Sequence, residues 1–521
     1  MWVLLMLVGS TCHAQDITVR YDGTTAKVTQ KTKDSVKVVV KGASVDIESL
    51  YRGRQLTLRL TGRSEDGRLV LKTAGKAKVT LDGLTLTSRE GAPIELKNKK
   101  RVEIVAAKGT ENTLTVTACN DTTNHKAAVI WAKDKLLFSG KGVLHVVATG
   151  NGCRGIKTKK DIIIGELTLN VTTSGDNLGE KPFGFGGFPG FGGDSIAFGG
   201  GFPPFGGDSI SFGGFPMPDF SQFPGFGGDS IPFGGGFPPF GGDSIPFGGF
   251  PMPDFGGGFP PFGGDSIAFG GFPGFGGDST MTGGFGGKHK YVASTKGIAS
   301  KGKITINSGR VTVRTATAGA EGIEGKKGIV FNGGVVDVFA TDDAINANAT
   351  IEFNGAHVVA RSSGNDAVDS NPEGGFFMPF GGNRDQNQTP AIIIRGGTVY
   401  AWSQVGSPEE GLDCDFAPLV IEGGKVFSVG GGMGEMPSVP TNENAKQPTV
   451  LLIGIDIVKE EPIYICNAKG KTLETVTIPF SLRRSASLVT SPAFKVGETY
   501  TVKTKGYERT FVISEAFSRI R

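Results

Sequence analysis

Histidine, cysteine and tryptophan are scarce in this chain: 5, 5 and 3 among 521 residues. No two cysteines form a CxxC pair, which argues against a zinc site. No Ser-His-Asp arrangement, HExxH pair, P-loop or dinucleotide motif is present. His125, His145, His289 and His357 fall in different registers and make no metal spacing. Basic residues are nowhere concentrated. The formal net charge is +4, with no basic tail and no basic block interleaved with aromatics, so nucleic acid is not an expected partner. Apolar runs are too short to span a bilayer. No stretch of roughly twelve residues carries a helical apolar stripe.

Glycine (84 residues) and phenylalanine (37) are abundant instead. Residues 182–287 alone hold 37 of the Gly, 24 of the Phe and 16 of the 28 Pro. That stretch has no Lys, Arg or Glu and eight Asp, so the net charge divides into −8 there and +12 elsewhere. The unit FGGDSI or a variant recurs with Asp at 194, 208, 229, 243, 265 and 278, at spacings of 14, 21, 14, 22 and 13 residues. Calcium-binding nonapeptide coils need a tight nine-residue period, which these spacings do not supply. Gly and Pro at this density predict a long disordered insertion.

Residues 1–15 read as a signal peptide. Trp2 to Val8 is an apolar run of seven, followed by a small-residue cleavage site after Ala14. No Lys or Arg precedes the run. Cys12 raises a lipoprotein reading, but Gly9-Ser10-Thr11 match a lipobox poorly, so the expectation is export to the medium or cell surface. Pairing among Cys119, Cys153, Cys414 and Cys466 is left open by the sequence.

Elsewhere short β-branched runs alternate with period two, as in Ser35-Val-Lys-Val-Val-Val40 and Lys303-Ile-Thr-Ile306. They belong to an internal repeat. Copies begin at Ile298, Ile323, Ile345 and Val368, spaced 25, 22 and 23 residues; the last is interrupted by 373–388 and resumes at 391, another begins at Leu412, and upstream copies lie at 128–150 and 156–175. Each has a short apolar step, a short strand such as Ile351-Glu-Phe353, an Asn-Gly or Gly-Gly turn and a longer strand such as Val358-Val-Ala-Arg361. This predicts an all-β, right-handed parallel β-helix with three short strands per coil of about 23 residues. The expected layout is an N-terminal β region and first coils at 16–181, the insertion at 182–287, further coils at 288–437 and a small C-terminal β-domain at 448–521 covering the open end.

Aligned coil turns give an acidic column: Glu321-Gly-Ile-Glu324, Asp343-Ala-Ile-Asn346, Asp366-Ala-Val-Asp369 and Glu410-Gly-Leu-Asp413, with Asp342 and Asn365 beside it. Stacked about 4.8 Å apart, carboxylates repel, and hard oxygen ligands suit Ca²⁺. The competing reading is a set of solvated turn residues. Arg154-Gly-Ile-Lys157 and Lys296-Gly-Ile-Ala299 break the column in earlier coils, where no metal is expected. On the long strands, Val311, Val336, Val358, Val399 and Val426 should point inward. Arg314, Phe339, Arg361, Tyr400, Trp402 and Phe427 then point outward as a candidate sugar platform, in which rings stack on pyranoses and Arg grips uronate carboxylates. The alternative is that another part of the chain covers these aromatics.

Lys108-Gly-Thr-Glu-Asn-Thr-Leu114, Lys78-Val-Thr-Leu-Asp-Gly-Leu-Thr-Leu86, the acidic turns and Ser491-Pro-Ala-Phe-Lys-Val-Gly-Glu-Thr-Tyr500 carry a family resemblance. The chain resembles, over 45–175 and 290–505, secreted bacterial carbohydrate-binding-domain proteins with a pectate-lyase-like parallel β-helix. That resemblance implies calcium-dependent polysaccharide binding without chemistry. A calcium-dependent lyase is the rival, with Arg314 and Arg361 as its candidate bases, but no pectate-lyase signature is visible and the support is fold analogy. A third reading is a structural or adhesive surface protein.

Overall fold

The computed structural model describes residues 15–31, 36–50, 52–53, 55–118, 127–181, 290–371, 389, 391–414, 417–431 and 437–521. The sequence expectation of a disordered insertion at 182–287 lies outside these residues, as does the leader. Every element among the described residues is a strand.

The repeat becomes parallel stacking. Its apolar steps form one stack through Arg154–Thr158, Lys296–Ser300, Glu321–Gly325, Ile345–Ala347, Val368–Ser370 and Leu412–Asp413, within an 11-stranded sheet. The short strands Ile162–Ile164, Ile304–Ile306, Ile329–Phe331, Ile351–Phe353, Ile392–Ile394 and Leu419–Ile421 form a second stack. The long strands from Thr168–Thr173 to Lys425–Gly430 form a third.

Period-two alternation fixes which side is buried. Val311, Val336, Val358, Val399 and Val426 occupy one register column and are at most 1% exposed, as expected. Ile298, Ile323, Ile345, Val368 and Leu412 face them from the first stack and are equally buried. Each such side chain contributes about 1.5–3 kcal/mol by leaving water. Phe331 and Phe353 stack at 4.9 Å on adjacent rungs.

The small residue inside each acidic motif has a packing cause. A Cβ on Gly322 would meet Val338 Cγ1 and the Ala344 carbonyl oxygen, each at 2.4 Å, so only the smallest residues fit. Asn112, in one of the family-like motifs, is also structural: its side-chain oxygen accepts from Leu84 N at 3.0 Å and its amide donates to Val143 O at 3.1 Å. Asn307, Asn332 and Asn354 form an amide ladder along the turns, with 2.8 Å steps.

The stack ends in antiparallel pairing. Lys425–Gly430 pairs with Leu482–Thr490, which also pairs with Thr449–Ile457, so the last coil does not end in an open edge. Pro462–Asn467, Thr472–Thr477, Thr499–Thr504 and Tyr507–Val512 make a separate antiparallel sheet. Leu178–Lys181 and Lys290–Ala293 pair antiparallel, Lys181 opposite Lys290, and bring together the two ends of the chain flanking 182–289.

Candidate functional site

The acidic motifs are in register. Glu324, Asn346, Asp369 and Asp413 stand on successive rungs of the first stack. They are not solvated turns. Glu321, Glu324, Asp342, Asp343, Asn346, Asn365, Asp366, Asp369 and Glu410 are all buried, none more than 9% exposed.

The column divides into two differently neutralised parts. At one end Lys296, on the rung before Glu321, places its ammonium 2.9 Å from Glu321 and 2.8 Å from Glu324. Lys326 reaches Glu324 at 2.7 Å. These two glutamates, expected as metal ligands, therefore face protein cations rather than an open cation site. Burial still holds the Glu321 carboxyl above its usual range, with the Lys296 charge opposing.

Further along, amides take the place of ammonium groups. Asn365 donates to Asp342 at 3.0 Å, and Asn346 donates to Asp343 at 2.8 Å and Asp369 at 2.9 Å. Asp366 accepts from the Glu410 backbone, and Glu410 accepts from Ser438 N at 2.7 Å. Amides leave the charge in place. Burial, reinforced by Glu321, pushes Asp342 up to about 8. Asp343 and Asp366 are also raised, first by burial and then by neighbouring aspartates. Glu409, pushed to about 7, follows the same causes.

Asp342 Oδ2, Asp343 Oδ1 and Glu321 Oε2 are buried without a hydrogen-bond partner. Orphaned carboxylate oxygens in an all-oxygen cluster fit a hard cation in chemistry. As arranged, no three His, Cys, Asp or Glu side chains among the described residues stand close enough together to hold one.

Lysines were missed as members of this site. Lys296 and Lys157 appear in the sequence as breaks in the acidic pattern, yet register places them on the same face as the acids. Lys157 is 7% exposed, and burial, then Arg154, pushes its ammonium down to about 7.

The proposed sugar platform is only partly open. Trp402 and Phe427 are 5% and 3% exposed and belong to one buried cluster with Val450, Phe480 and Val489 of the C-terminal region. Trp402 Nε1 donates to the Phe427 carbonyl at 3.1 Å. The expectation that these two rings face solvent is corrected: the C-terminal strands pair against this end of the sheet and bury them. Phe339, Arg314 and Arg361 remain partly exposed. The Arg361 guanidinium lies 5.5 Å from the Phe339 ring centre. Both arginines pair with Asp337, Arg361 at 3.3 Å, so one carboxylate already occupies part of their charge. Tyr400 is half-buried, stacked on Trp402 at 5.5 Å with His357 edge-on at 5.8 Å.

A carbohydrate-binding family model matches this chain. Its description is carbohydrate-binding domain-containing protein, and it covers residues 52–181 and 279–369, overlapping both segments that carry the sequence resemblance. A curated relative, the carbohydrate-binding domain-containing protein of Acetivibrio thermocellus, is 29% identical over 140 residues. That alignment spans 25% of this chain and 48% of the relative, about half its length. A solved structure, the polysaccharide lyase-like protein from C. thermocellum in a gadolinium derivative, aligns over 67% of this chain and 91% of its own. The identity there is 18% and the TM-score 0.38. No helix among the described residues is long and apolar enough to cross a membrane.

Proposed function

We propose that this is an exported, non-catalytic polysaccharide-binding protein, built as a right-handed parallel β-helix with three strands per coil. The observation that carries the reading is the carbohydrate-binding family match, which takes in stacked coils on both sides of the Gly/Phe-rich segment. Phe339, Arg314, Arg361, Tyr400 and His357 offer a partly exposed aromatic and cationic surface suited to sugar rings. Export is supported by the apolar leader and by a disulfide at Cys153, a bond that persists in oxidising compartments.

Calcium belongs to this reading. Asp342, Asp343, Asp366, Asp369 and Asp413 are the carboxylates that would answer to it, and it would supply the positive charge that the asparagine amides do not. Glycan-array binding with and without chelator tests the proposal; absence of binding to any polysaccharide would refute it.

One observation favours the lyase reading. Lys157 lies in register two rungs before Glu324, and burial pushes its ammonium down, the direction a lysine base requires. Unsaturated product released from polyuronates, and lost in Lys157→Met, would establish that reading instead.

A further inference from the structure

Lysines that lie scattered in the sequence stand in one row on the folded coils. In the 11-stranded sheet Leu96, Ala132, Thr158, Ser300 and Gly325 share one register position. The residue after each is a lysine: Lys97, Lys133, Lys159, Lys301 and Lys326. One ammonium group per rung therefore repeats along the stack, about 4.8 Å apart at the backbone.

The turns that carry these lysines are fixed on one another. Lys133, Lys159, Lys301 and Lys326 each donate their backbone N–H to the rung before, at 2.9, 3.2, 3.1 and 3.0 Å. Buried hydroxyls hold the turns from inside. Thr158 Oγ1 donates to Asp134 O at 2.8 Å and accepts from Lys160 N at 3.1 Å. Ser300 Oγ repeats this with Lys160 O at 2.6 Å and Gly302 N at 2.9 Å. A Cβ on Gly302 would lie 2.7 Å from Asp161 N, so the two turns are in close contact.

Charge in this row is one-sided. Residues 97–101, 133–135, 159–161, 301–303 and 326–328 hold twelve Lys or Arg, two Asp and no aromatic. Both aspartates are engaged inside the turns. Asp134 Oδ1 accepts from Lys135 N at 2.7 Å, and Asp161 meets the Lys135 ammonium at 2.8 Å and Lys303 N at 3.1 Å. At the ends of the row Lys97 reaches Glu95 at 3.4 Å and Lys326 reaches Glu324 at 2.7 Å. Its middle, Lys133, Lys159 and Lys301, is exposed and forms no ion pair among the described residues. Fixed turns hold these like charges side by side, where they repel. A polyanion laid along the row removes that repulsion.

We infer that this row docks a linear polyuronate running along the coil stack. This rests on the polysaccharide-binding reading and specifies the charge of its ligand. One ammonium per rung in a single file fits a polymer with one negative charge per sugar, as a polyuronate has. Lysine offers a point charge rather than a bidentate fork, so each carboxylate can pair without one fixed sugar orientation. Single-stranded nucleic acid is gripped by stacking on aromatics as well as by charge, and these turns have none.

Fluorescence anisotropy of end-labelled oligogalacturonate with the full chain, in chelator at low salt, tests this, with dextran, dextran sulfate and oligothymidylate as comparison probes. The chain should bind oligogalacturonate and not dextran, and the affinity should fall as salt rises. Lys133→Gln/Lys159→Gln/Lys301→Gln should weaken binding at least about tenfold, with no loss in melting temperature because all three side chains are exposed. Lys459→Gln/Lys469→Gln/Lys471→Gln, which removes the same charge from exposed C-terminal positions, should leave it unchanged. Unchanged affinity in the first variant, or an equal loss in the second, would overturn the inference. So would a loss confined to dextran sulfate or to oligothymidylate, which would make the row a surface for sulfated glycans or nucleic acid. If oligogalacturonate does not bind while neutral polysaccharides still bind on an array, the row is refuted and polysaccharide binding stands.

Discussion

Lys296 and Glu321 stand opposite each other on adjacent parallel strands, their charges 2.9 Å apart and each side chain only 3% exposed. A buried pair of this kind is costly to break, because removing one partner strands the other charge. Lys296→Met leaves Glu321 and Glu324 without their shared ammonium and should destabilise the fold by about 3–5 kcal/mol. Chemical denaturation measures this. Adding Glu321→Leu and Glu324→Leu to the same chain should recover most of the loss.

Without a bound cation, the aspartates make stability depend on pH. Asp342 is raised to about 8, whereas an unfolded aspartate titrates at roughly 4. Between these values the folded state binds more protons than the unfolded state, so stability falls as pH rises and levels off above the folded value. Melting temperatures in chelator should therefore decline from mildly acidic to mildly alkaline pH. Asp342→Asn should flatten part of that slope.

Calcium should act most on the alkaline side of that slope, where the folded aspartates are ionised and free of competing protons. A ligand held only by the native state stabilises it by about 2.7 kcal/mol at a hundredfold excess over Kd. Chelation should lower the melting temperature, and Asp366→Asn or Asp369→Asn should abolish that response. Glu324→Gln should not, because Lys296 and Lys326 already engage Glu324. Asp194→Asn, in the Gly/Phe repeat, should also leave it intact.

The coil architecture was readable because its physics is periodic. Two-residue alternation placed Val358 and Val399 in the core, and a period near 23 residues placed Asp369 above Asn346. What lay across the sheet was not readable. Nothing local to Trp402 shows that Val450 and Phe480, distant in sequence, share its buried cluster. Lys296 looked like an interruption because its pairing with Glu321 crosses 25 residues.

The two ends of the aromatic row should separate by experiment. Trp402→Ala should cost about 3–5 kcal/mol of stability, as for other large buried side chains. Phe339→Ala should leave the melting temperature nearly unchanged and weaken glycan binding.

Replacing 182–287 by a short turn should leave the thermal transition nearly unchanged. Lys181 and Lys290 are already paired in register, and loop-closure cost varies slowly with length. A large loss of stability would show that the segment packs on the coils.

The most direct measurement is a polysaccharide array probed with the full chain and with Phe339→Ala, in calcium and in chelator, with product analysis of every bound glycan. The account predicts calcium-strengthened binding to several polysaccharides, weakened in the variant, with each glycan recovered intact. Cleaved, unsaturated product, or no binding to any polysaccharide, would contradict it.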